Sequence, residues 1–184
     1  MARGRFRAGS VAGLVLAAVA YFFHIGPFEE KNSGSSSPHS TPAGSGMQSD
    51  FSGPVVNVHD GDTLQVRYLD QNVKIRLWGV DTPEVNPKQE CGVEAREFTN
   101  HFAMGKTVRV EVHDRDRYGR VVGEVFVDGK SLNAALADAG WAWAYRHYTE
   151  KFVSYEEKAR AQHKGLWAHD NPVAPWDFRK ESKN

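Results

Sequence analysis

The sequence predicts an α+β fold: a small five-stranded barrel with about three packed helices, preceded by a hydrophobic N-terminal helix and a disordered tether. Three observations lead there. Short runs of alternating apolar and polar residues dominate the folded part, segments of helical spacing interrupt and follow them, and glycines stand where those segments should stop. The 184 residues, 40% hydrophobic and 25% charged, suit one globular domain with attachments and are too few for a barrel of eight βα units. No fixed period recurs, which removes solenoids and propellers.

The chain opens with Arg3, Arg5 and Arg7, followed by an uncharged stretch from Ala8 to Ile25. Its length of about 18 residues approaches what a helix needs to cross a hydrocarbon core. Residues 1–27 therefore read as a signal-anchor, with a signal peptide cleaved at Ala18-Val19-Ala20 as the alternative. Retention is favoured, because cleavage after Ala20 would leave Tyr21, Phe22 and Phe23 exposed, whereas a retained helix uses them as an interfacial belt. With no polar face, the stretch is not an amphipathic helix of the domain. The arginines then stay in the cytoplasm. The domain is expected to be membrane-anchored and to face the periplasm or exterior, or to be secreted if the signal is cleaved. Residues 28–52, rich in Ser, Gly, Pro and Thr, bury too little apolar surface to offset ordering entropy and are expected to form a flexible linker.

Residues 53–170 carry the expected domain, whose first alternation begins near Phe51. Strands are predicted over Pro54 to His59, Thr63 to Tyr68 and Val73 to Val80, the second and third joined through the polar link Leu69-Asp70-Gln71-Asn72. Gly92 to Met104 reads as a helix, with Val93, Phe98 and Phe102 near helical spacing and Gly105 as a stop. Strands follow over Thr107 to His113 and Val121 to Val127. Helices are then expected over Leu132 to Ala139 and Phe152 to Lys164, each ended by a glycine. Residues 171–184 form a C-terminal tail, expected to fray after Trp176. Three strands, a helix, two strands and two helices match the OB-fold.

Charge and sulfur exclude several functions. The 23 basic and 23 acidic side chains balance, and since four and three of them precede residue 51, the remaining 19 and 20 leave the folded part near neutrality. A protein that coats nucleic acid by bulk charge is excluded. One cysteine makes neither an internal disulfide nor a multi-thiolate zinc site. No His-Glu-x-x-His pair occurs, so His101, His113, His147, His163 and His169 read as surface or satisfied residues, and Cys91 as a partly buried thiol.

Four clusters carry possible chemistry. In Asp60-Gly61-Asp62-Thr63, Gly61 permits a tight bend that crowds two carboxylates, which is costly without a cation or basic partner; an ordinary Asp-Gly turn is the plainer alternative. In Asp81-Thr82-Pro83-Glu84, Pro83 pushes Thr82 into an extended conformation that leaves its carbonyl free. Carboxylates and a carbonyl are hard oxygen donors suited to calcium or magnesium, although helix capping ahead of Pro83 would also account for them. Arg76 shares a strand face with Lys74 and Trp78, opposite Val73, Ile75 and Leu77, where a solvated arginine is ordinary. The link Asp114 to Arg120 fails as an EF-hand, having Val125 at its twelfth position, and remains a turn presenting Arg117, Tyr118 and Arg120, a set suited to a phosphodiester. Trp141, Trp143 and Tyr145 could stack bases but suit a core equally well.

Taken together, Val58-His59-Asp60-Gly61-Asp62-Thr63, Ile75-Arg76-Leu77, Val80-Asp81-Thr82-Pro83-Glu84 and Asp116-Arg117-Tyr118-Gly119-Arg120 resemble the staphylococcal nuclease (thermonuclease) family, in order and over roughly Phe51 to Trp167. The resemblance implies an OB barrel, a calcium ion, and hydrolysis of DNA and RNA phosphodiesters on the 5′ side of the phosphorus. By matching motif, Asp62, Asp81 and the Thr82 carbonyl resemble the calcium ligands. Glu84 resembles the acid that orients or deprotonates the attacking water. Arg76 and Arg120 resemble the pair that grips the phosphate. Arg117 and Tyr118 match ligand-contacting residues, while the family's later tyrosine pair falls on Tyr145, His147 and Tyr148 without a unique match. The implied partners are a DNA and/or RNA substrate and, through the N-terminal helix, a membrane; no protein partner is implied and a monomer is expected.

The competing reading is a membrane-anchored OB-fold module that binds nucleic acid or protein without catalysis. A pure binder has no need of Asp62, Asp81, Glu84, Arg76 and Arg120 together.

Overall fold

A computed structural model describes residues 49–183. The signal-anchor reading of residues 1–27, and the linker up to residue 48, lie outside the described residues. Among the described residues no helix is long and apolar enough to cross a membrane.

Strands β1 (Phe51–Asp60), β2 (Thr63–Tyr68) and β3 (Gln71–Leu77) form an antiparallel meander. After β4 (Val80–Asp81) and helix α1 (Gly92–Ala103), β5 (Thr107–Arg115) pairs with β1, and β6 (Val121–Val127) pairs with β5. A parallel pairing of β3 with β6, Ile75 opposite Val121, closes five strands into the expected OB barrel. The inward residues of these strands, among them Val55, Leu64, Val66, Ile75, Leu77, Val110 and Val125, are fully or almost fully buried. That burial pattern is what period-two alternation on a closed sheet requires. The short β7 (Lys130–Ser131) leads into α2 (Leu132–Asp138), whose Ser131 caps Ala134 N–H at 3.1 Å. Then come β8 (Trp143–Ala144), α3 (Val153–Ala161), a 3₁₀ turn (Gly165–Ala168) and α4 (Pro175–Glu181).

Two departures from expectation shape the site. The strand expected over Val73 to Val80 breaks after Leu77, because Gly79 takes a left-handed conformation at φ 72°, where a Cβ would lie 2.5 Å from Thr149. Asp81 thus leaves the barrel wall on β4, which pairs with β8 through Val80 and Ala144. The second departure is the tail, which does not fray after Trp176. Pro175 starts α4 and is buried, and the Trp176 ring lies 6.4 Å from that of Trp143 and 5.5 Å from that of Tyr145. A second buried cluster of Cys91, Trp143, Ala159, Leu166 and Trp167 underlies this region.

Candidate active site

The β1–β2 hairpin has two turn residues, Gly61 and Asp62, between the paired Asp60 and Thr63. Gly61 is required for space: a Cβ there would sit 2.8 Å from Thr82 Oγ1 and 2.9 Å from Ala95 Cβ. The turn so compressed carries Asp62 beneath Thr82. Oδ2 of Asp62 accepts from Thr82 N–H at 2.7 Å and Thr82 Oγ1–H at 3.0 Å, and Oδ1 accepts from Thr63 Oγ1–H at 3.2 Å. The capping alternative for Asp81 and Thr82 is excluded, since the chain after Pro83 enters no helix until Gly92.

Arg76 does not face solvent. Its Nη2 donates to Asp81 Oδ1 at 2.6 Å and its Nη1 forms an ion pair with Asp62 Oδ2, so one guanidinium spans both buried carboxylates. Burial alone would pull Arg76 toward deprotonation, but Asp62, Asp81 and Asp60 outweigh it and hold the guanidinium firmly charged. Asp60 shows the opposite balance. Burial, then the neighbouring Asp62 charge, push its carboxyl up to about 7, with Arg76 offsetting only part.

On the facing turn, Asp116 accepts from Tyr118 N–H at 2.9 Å, Arg120 N–H at 3.0 Å and Arg120 Nε–H at 2.6 Å. Burial would raise the Asp116 carboxyl, but these bonds, Arg120's first, bring it below the ordinary carboxylate value. Arg120 is thereby aimed. Arg117 Nη2 donates to the Tyr118 hydroxyl at 2.8 Å, and both arginines lie over the exposed Tyr118 ring, at 4.9 and 5.6 Å.

Asp62, Arg76, Asp81, Thr82, Glu84, Arg117, Tyr118 and Arg120 all line one cleft of about 370 Å³ at the barrel mouth. Tyr145 and Tyr148 line it too, with rings 5.3 Å apart, whereas His147 does not; Trp143 is core. Elsewhere among the described residues, Glu111, His113 and Glu124 bring ligand atoms within 4.8 Å of one another, but Glu124 is already held by Lys151 at 2.6 Å and Ser131 at 2.6 Å, and His113 stacks on Trp78.

Sequence reasoning missed two contributors. Gln89 accepts from Glu84 N–H at 3.1 Å through its side-chain oxygen, and its own backbone N–H donates to Glu84 O at 3.0 Å. From α4, Arg179 reaches Asp81 and Glu84. The available signal was Pro175-Trp176, a helix start bearing an aromatic anchor, with Arg179 one turn further on.

Oxygen donors beside forked guanidiniums, at the mouth of a closed OB barrel, define a protein equipped to hold a phosphate ester. A family model described as staphylococcal nuclease homologue matches residues 74–169. The chain is 41% identical over 133 residues to an "uncharacterized endonuclease" of Escherichia coli, covering 71% of this chain and 86% of that protein. It is 36% identical over 148 residues to a micrococcal nuclease of Shigella flexneri, covering 73% and 84%. The chain belongs to the staphylococcal nuclease homologue family.

Proposed function

We propose that the domain is a calcium-dependent nuclease, monomeric, that hydrolyses phosphodiester bonds of DNA and/or RNA outside the cytoplasm, held there by its N-terminal segment. The observation that carries this reading is the convergence of two buried acids, a third acid and two separately positioned arginines on one cleft. The names of the relatives, an endonuclease and a micrococcal nuclease, support the same reaction class.

The residues fit a hard divalent cation. Asp62, Asp81 and the Thr82 carbonyl offer oxygen only, and Asp60, whose carboxyl is raised first by burial and then by the Asp62 charge, adds a further oxygen side chain beside them. When bound, calcium supplies electrostatic stabilisation to the phosphate oxygens.

The remaining chemistry belongs to the chain. Attack on phosphorus builds charge on equatorial oxygens; Arg120, aimed through Nε by Asp116, directs its Nη groups to that charge, and Arg76, whose Nη groups hold Asp62 and Asp81, adds its remaining N–H donors and its positive charge. Glu84, at the cleft and partly exposed, orients or deprotonates the attacking water. Arg117 and Tyr118, at the rim, contact the bound nucleotide.

The test is digestion of plasmid and single-stranded nucleic acid with calcium and with excess chelator. Cleavage that vanishes with chelator is expected. Undiminished cleavage removes the metal role, and binding without cleavage under every condition returns the domain to a binding module.

A further inference from the structure

We propose that Arg179 is a positioning residue of this site, supplied by the C-terminal helix, which holds the Glu84 carboxylate in place beside Asp81; this rests on the nuclease reading. Glu84 lies in the irregular segment between β4 and α1, where no regular element restrains a side chain. Its backbone is held by Gln89 on both sides, but that fixes only the main chain. The carboxylate is held by Arg179, whose Nη1 donates to Glu84 Oε1 at 2.7 Å and whose Nη2 donates to Asp81 Oδ2 at 2.7 Å.

One planar fork therefore sets the separation of two acids three residues apart, Asp81 at the end of β4 and Glu84 in the irregular segment that follows it. Burial would discharge Arg179, but Asp81 and then Glu84 outweigh it and keep it protonated. The helix that carries it is itself docked on the same loop: Gln89 Nε2 donates to Val173 O at 2.8 Å, just ahead of α4, and Trp176 packs on Trp143 and on the cleft-lining Tyr145. Gln89 thus bonds both the Glu84 backbone and the segment that delivers Arg179. Gly92 lets α1 start against this loop, since a Cβ there would lie 2.1 Å from Glu84 O. A residue acting through Glu84 should affect turnover more than substrate binding, and should matter only while Glu84 is present.

The experiment is a double-mutant cycle on the full chain with Arg179→Ala and Glu84→Gln, plus Arg179→Lys. Arg179→Ala should lower kcat by about 10²-fold with KM changed by less than about threefold, and Arg179→Lys should recover part of the loss. In the Glu84→Gln background, Arg179→Ala should cost less than about twofold more, because nothing remains to position. The same cycle in thermal unfolding, without nucleic acid, should show the two substitutions to be non-additive. Additive losses in kcat and in unfolding overturn the proposal, as does a rise in kcat on Arg179→Ala, which would make the arginine a competitor of the cation. A parent protein that shows unfolding coupling but never cleaves refutes the nuclease reading instead.

Discussion

Thr82 closes on Asp62 twice, through its amide and through its hydroxyl, across 20 residues of sequence. Both bonds converge on Oδ2, and the Thr82 carbonyl takes part in neither. Removing the hydroxyl should therefore loosen the carboxylate without removing a proposed ligand. Thr82→Val should weaken calcium binding about tenfold, as loss of a partner behind a metal ligand commonly does, whereas Asp62→Asn should abolish it. Titration calorimetry on the folded variants separates the two.

Arg76 and Arg120 are aimed by different carboxylates, so each should fail independently. Arg76→Lys and Arg120→Lys keep the charge but lose the fork, and each should reduce kcat by about 10²–10³-fold while circular dichroism stays unchanged. Tyr118→Phe, which removes only the hydroxyl bonded by Arg117, should do far less. Glu84→Gln should depress kcat with substrate binding retained. A parental rate in any folded variant from Arg76, Arg120 or Glu84 removes that residue's role.

Asp60 makes the metal-free protein sensitive to pH. Its carboxyl titrates near 7 when folded against 3.8 when free, so between those values the folded state carries a proton that the unfolded state lacks. Metal-free stability should fall as pH rises from about 4 to about 7, and Asp60→Asn should flatten that slope. The proposed calcium ion would compete with this proton, so its binding should strengthen with pH through the same window. Thermal melts across pH, with and without calcium, test both signs.

Gly61→Ala tests the crowding at the hairpin. The added methyl would press on Thr82 and Ala95, both buried, so one must shift. A loss of about 1–3 kcal/mol in stability is expected, with calcium affinity falling alongside because Thr82 is displaced from Asp62. Unchanged melting and calcium affinity would show that the hairpin yields freely.

The proposed localisation rests on the sequence of the N-terminal residues. A reporter fused after Ser52 should be translocated, and the protein should fractionate with membranes. A soluble form beginning at Tyr21 would favour cleavage, and a cytoplasmic reporter would reject both.

The sequence by itself determined the barrel and most of the acid and arginine set. Alternation with period two is a property of each strand alone, so Thr63 to Tyr68 and Val121 to Val127 appear as strands with the bounds read from their own residues. The Gly61 and Pro83 motifs likewise announced themselves locally. Only the tertiary structure decided what lay opposite them. Alternation put Arg76 on the outward face of β3 but carried no word on whether water or carboxylates would meet it there; closure of β3 on β6 and the break at Gly79 bring Asp62 and Asp81 to it. The choice of Tyr145 and Tyr148 over His147 waited on β8 pairing with β4. Arg179 was the least visible, because a seven-residue helix has little intrinsic stability and a polar surface pattern, and reads as a frayed end until Trp176 finds Trp143 and Gln89 finds Val173. Local periodicity is written in neighbouring residues, whereas convergence of side chains 98 positions apart, as in Arg179 and Asp81, exists only once the barrel has closed and its last helix has docked.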